Sequence, residues 1–121
     1  MNPVRRAAFD TEIALAKKRI SEGNLDAGFV HLERAHVVGQ AFVGLHARSH
    51  WLMLKVELRR RRPAAVFGQA LRILLGILGS AVGVVPVGNT GGSNVSMFKR
   101  MPIEPELQRI IDAAAPPDAP A

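Results

Sequence analysis

Apolar side chains recur in this chain at spacings of three and four, the period that lets an α-helix bury one face. Phe9, Ile13, Ala16 and Ile20 form such a stripe, so residues 4–22 are expected to be helical. Gly23-Asn24 ends the segment, and Asn24 suits an N-cap for the next one. In that next helix, 25–42, Leu25, Phe29, Leu32 and His36 fall within about 60° of arc. A break is expected near Gly39. A third helix over 45–61 ends in four consecutive arginines, and Pro63 then suits the first turn of a fourth. Pro86 closes that helix, a Gly/Asn/Ser/Thr loop follows at 87–96, and residues 103–115 suggest a last short helix. The expected fold is therefore all-α, a compact bundle of four main helices plus a short C-terminal one. One domain is expected over 1–115, with a disordered tail at 116–121.

The segment Gly23 to Ala35, GNLDAGFVHLERA, resembles the turn and second helix of a tetratricopeptide repeat. Gly28 and Ala35 are seven apart, as that repeat's small packing residues are. The resemblance implies a helical hairpin, and the alternative architecture is a tetratricopeptide-like stack within a larger helical assembly. The fourth helix is the most apolar part of the chain, with no charge over residues 73–85. It reads as a buried bundle helix, in which Gly76, Gly79 and Gly83 would let another helix approach closely. A membrane-embedded or peripheral placement is the alternative, although Gln69 and Arg72 leave the uncharged run short for a span.

All four histidines lie between residues 31 and 57. On the third helix His46, His50, Met53 and Glu57 share one stripe of donor atoms, with Arg48, Lys55 and Arg59 on the far side. On the second helix His36 sits in the middle of the apolar face, Gln40 is one turn further along, and Glu33 lies at the edge. His31 points elsewhere. An antiparallel hairpin of these helices lets His36 face the His46/His50 pair. Neutral imidazoles so placed suit a transition-metal site, with Glu33, Glu57 or Met53 completing the shell. Zinc suits histidine and carboxylate, and copper is favoured if Met53 ligates. The competing reading is a structural cluster of hydrogen-bonded core histidines.

Composition narrows the function classes. There is no cysteine, which removes disulfides, thiolate metal sites and thiol catalysis. The N-terminal stretch lacks the apolar core of a secretory signal, so a cytoplasmic chain is expected. A net charge of +6 points to an anionic partner. The run Arg59–Arg62 has no interleaved aromatics and no DNA-reading motif around it, so nucleic acid is not the expected partner. No Ser-His-Asp set, nucleotide loop or di-iron carboxylate pair is present, and an enzyme is the weakest reading. Two functions remain: a small metal-binding protein, or a non-enzymatic helical interaction module, with a homo-oligomer or protein partner through the Gly-rich helix.

The stretches HLERAHVVGQ, HWLML, GQALRIL and GNTGGSNVSMFKRMPI together resemble a bacterial family of small proteins known as domain of unknown function 3703. The resemblance implies a bacterial origin and carries no activity. It singles out His36, Gln40, His50, Asn89, Thr90 and Gly91 as positions to test. Gln40, Asn89, Thr90 and Gly91 are expected at a pocket edge or in an ordered loop.

Overall fold

A computed structural model of the chain describes residues 2–81, 89–93 and 99–113. Five helices follow one another: α1 (Pro3–Ser21), α2 (Leu25–Gly39), α3 (Val43–Arg59), α4 (Pro63–Ala81) and α5 (Pro105–Ala113), with no strand among the described residues. The fold is the all-helical bundle that the periodicity predicts. The expected tail at 116–121, Gly83 and the expected end of the fourth helix at Pro86 lie outside the described residues.

Helix boundaries follow their caps. Asn2 accepts the Val4 amide at 2.9 Å and precedes a proline at the first helical position of α1. Asn24 accepts the Ala27 amide at 3.2 Å and so starts α2, as expected. α1 and α2 pack as a hairpin across the Glu22–Asn24 turn. Phe9, Ile13 and Ala16 of α1 are buried with Phe29, Leu32, Ala35 and Val38 of α2. α5 returns to this hairpin and seats Leu107 in the same core. Arg34 ties the three together, reaching Glu12 on α1 at 3.0 Å, Glu104 at 2.7 Å and Glu106 at 3.2 Å.

α2 ends at Gly39, three residues before the expected 42, and α3 starts at Val43, two before the expected 45, so only Gln40–Phe42 separates them. The turn is tight because Gly39 has no side chain. A Cβ there would lie 2.8 Å from that of Leu45 and 3.0 Å from the Phe9 ring. Arg5 seals the junction by donating to the Val38 carbonyl at 2.8 Å and stacking over Phe42.

α4 departs from expectation. Among the helices it packs on α3 alone, and Phe67, Leu74, Ile77 and Leu78 are exposed. It is a flank of the bundle and not its centre. No described helix is long and apolar enough to cross a membrane.

Candidate metal centre

His36 comes from the last turn and a half of α2, and His46 and His50 from successive turns of α3. The short α2–α3 connection folds these segments against each other. The three rings form a nearly equilateral triangle with centroids 4.6 Å (36–46), 4.5 Å (36–50) and 4.8 Å (46–50) apart. One ligand nitrogen from each lies within 4.8 Å of the others, and all three residues are buried. Three buried imidazoles at this separation could hold a metal ion.

The tautomers of His36 and His50 are set from outside the triangle. His36 Nδ1 lies 2.9 Å from the Asn89 carbonyl oxygen, which only accepts, so Nδ1 carries the proton and donates. His36 Nε2 then turns a bare lone pair inward, buried and with no hydrogen-bond partner among the described residues. His50 Nδ1 donates to Gln69 Oε1 at 2.7 Å. The Gln69 amide cannot be reversed, because its Nε2 donates to the Gly91 carbonyl at 3.1 Å and to Ser93 Oγ at 3.0 Å. His50 Nε2 faces His46 Nε2 at 3.1 Å.

Two glycines let backbone close around the rings. A Cβ on Gly76 of α4 would stand 2.7 Å from His46 Cε1. A Cβ on Gly91 would stand 2.8 Å from both His36 Cδ2 and His50 Cε1, and its φ of +73° already disfavours any side chain. Gly76 thus lies where another helix, α3, packs on α4, and what it admits is the His46 imidazole. The loop that carries Gly91 is held by Asn89, whose Oδ1 accepts the Gly91 amide at 2.9 Å and whose Nδ2 donates to the Lys99 carbonyl at 2.6 Å. Thr90 Oγ1 accepts the Gly92 amide at 3.3 Å. Gln40 is buried at the end of α2.

Burial lowers all three histidine pKa values, because a charged ring loses water there. His36 falls well below the ordinary value, helped by His50 and His46. His50 is lowered to about 4, chiefly by burial, with further lowering from His46 and Arg72 against the opposing Gln69 hydrogen bond. The rings are therefore neutral near pH 7, the state in which imidazole ligates.

The two carboxylates expected to complete the shell are engaged elsewhere. Glu57 is two turns beyond His50, roughly 10 Å along α3, and its carboxylate meets Arg60 at 2.8 Å and Arg62 at 3.7 Å. Glu33 is held by Thr90 and near Arg60, and burial raises its pKa. Neither carboxylate joins the three nitrogens. Met53 belongs to the hydrophobic core. His31 points away, as its angular position predicts, and pairs with Glu12 at 2.7 Å. Gln69 is the partner of the cluster that sequence reasoning passed over. Its signal was an amide on an apolar helix, seven residues before Gly76 and so on the same face.

A family model described as "Protein of unknown function (DUF3703)" matches residues 4–111, and the chain belongs to that family. No curated protein matches. No solved structure matches either.

Proposed function

We propose that this member of the DUF3703 family is a small metal-binding protein that holds one transition-metal ion through His36, His46 and His50. The observation that carries the reading is the pair of outward Nδ1 hydrogen bonds. Asn89 and Gln69 commit His36 and His50 to presenting Nε2 inward, and His36 Nε2 has no partner there. A ligating histidine almost always donates its other nitrogen in this way, which fixes the ring and raises its basicity. An all-imidazole donor set suits Zn²⁺ or Cu²⁺. Three protein ligands leave a tetrahedral ion one position short, for water or a small exogenous ligand. Glu33, Glu57 and Met53 fall outside the shell we propose.

A second reading, a helical interaction module with a structural histidine cluster, is favoured by the 3.1 Å His46–His50 contact. That contact satisfies two of the three inward nitrogens without any ion. Elemental analysis of protein purified without a histidine tag, followed by calorimetric titration with each metal, separates the two. Stoichiometric binding abolished by His36→Ala and His50→Ala, and kept by His31→Ala, supports the metal site. No binding by the wild type leaves the structural cluster.

A further inference from the structure

The charge of this chain is not spread over it. Residues 43–81, which contain α3 and α4, hold seven of the sixteen cations (Arg48, Lys55, Arg59, Arg60, Arg61, Arg62 and Arg72) and one of the ten acids, Glu57. The remaining nine cations and nine acids balance, so the formal +6 sits wholly on the α3–α4 hairpin. Glu57 is fully buried, and Arg60 is spent on Glu57 and Asp26. The exposed charges of the hairpin, Arg48, Lys55, Arg59, Arg61 and Arg62, are therefore all positive.

Among the described residues, the same hairpin carries the most exposed large apolar side chains, Phe67, Leu74 and Leu58. On α4, Gln69 and Gly76 face α3. Phe67, Leu74 and Leu78 lie within about 40° of one another on the opposite side. Phe67 is 70% exposed, Leu74 57% and Leu78 55%. On α3, Trp51 and Leu58 are 54% and 56% exposed. A water-facing helix of a soluble bundle would carry polar residues at these positions.

We propose that the outer face of the α3–α4 hairpin docks this chain onto an anionic lipid surface. The apolar side chains enter the headgroup boundary, Trp51 sits at its level, and the surrounding arginines and Lys55 meet lipid phosphates. Charge complementarity selects this occupant. A second copy would bring together two surfaces that each carry five exposed cations and no exposed acid, and a zwitterionic bilayer would leave the cations unmatched. The docking is peripheral, since no described helix is long and apolar enough to cross a membrane. It is independent of the histidine cluster, whose residues face the other side of α4.

Trp51 is the chain's one tryptophan and reports on the face directly. The full chain is mixed with vesicles of equal parts phosphatidylglycerol and phosphatidylcholine, and separately with pure phosphatidylcholine, and scored by co-sedimentation and Trp51 emission. Expected are a blue shift and sedimentation with the anionic vesicles only, weakened about tenfold or more by raising salt from 0.05 to 0.5 M. The double variant Phe67→Ser/Leu74→Ser, at exposed positions, should keep its circular dichroism and lose about tenfold in vesicle affinity. No sedimentation with anionic vesicles overturns the proposal, as does binding that the double variant leaves unchanged. So does a free chain that is a dimer with blue Trp51 emission and becomes monomeric in the double variant, because a second copy then covers the face.

Discussion

His46 and His50 stand one helical turn apart on α3 with their Nε2 atoms 3.1 Å from each other. At that distance His46 Nε2 donates to His50 Nε2, because the proton of His50 is on Nδ1. A chelated ion would take the place of the His46 proton, which moves to Nδ1 of the same ring, so three neutral imidazoles should load an ion without giving up a proton. Calorimetry of Zn²⁺ binding at pH 7 in buffers of different ionisation enthalpy should give a buffer-independent heat. A buffer-dependent heat would mean that a ring, or a water on the ion, loses a proton.

Gln69 should matter to both affinity and stability. Gln69→Leu removes the acceptor that orients His50 and the donor that holds Gly91 and Ser93. Loss of such an orienting partner typically weakens metal binding about 10- to 100-fold. Stability of the metal-free chain should fall by about 1–3 kcal/mol, because the Gly91 carbonyl and His50 Nδ1 are left buried without partners. Denaturant unfolding and metal titration of the variant check the two effects separately.

Gly91→Ala should be among the most damaging single changes of one methyl group. The backbone there is left-handed, and the new Cβ would press on two imidazoles at 2.8 Å. Strain of about 1–3 kcal/mol is expected from the backbone alone, and the loop must also move off the triangle. Asn89→Ala should loosen the same loop by about 1–3 kcal/mol through its two lost side-chain bonds. A melting temperature unchanged in both variants would show that the loop does not cover the histidines.

The metal-free protein should be sensitive to mild acid. His36, His46 and His50 have folded-state pKa values below the 6.5 of an unperturbed ring. The unfolded chain thus binds protons that the fold refuses. Stability is complete above about pH 6.5 and falls as pH drops toward 4, by on the order of 3 kcal/mol for His50 alone. Urea midpoints measured between pH 7.5 and 4 should decline over this window. His50→Gln should flatten part of the decline, and bound Zn²⁺ should move its onset to lower pH.

Much of this arrangement was readable in the chain. The stripe from Phe9 to Ala16, the Asn24 cap and Pro63 each act locally, so sequence position alone located α1, the start of α2 and the start of α4. The convergence of His36 with His46 and His50 followed from helix angle plus a short connection. What stayed hidden depends on contacts distant in sequence. Glu57 shares the histidine stripe by angle, but its axial offset and Arg60 take it elsewhere. Gln69 reads as an interruption of an apolar run until α4 is laid on α3. The exposure of Phe67 could not be read at all, since apolar periodicity is the same whether a helix is covered on one side or on two.

The bond from His36 to the Asn89 carbonyl spans 53 residues. Closing a loop of that length carries an entropic cost before the contact returns anything, and the triangle is incomplete as a scaffold until it forms. Local hairpins can appear early in folding, whereas the oriented His36 ring arrives only with the 89–93 segment. Amide hydrogen exchange should then find Gly91 opening more readily than the α1–α2 core. An ion held at the three nitrogens would slow that opening, and the segment would serve as the latch on its release.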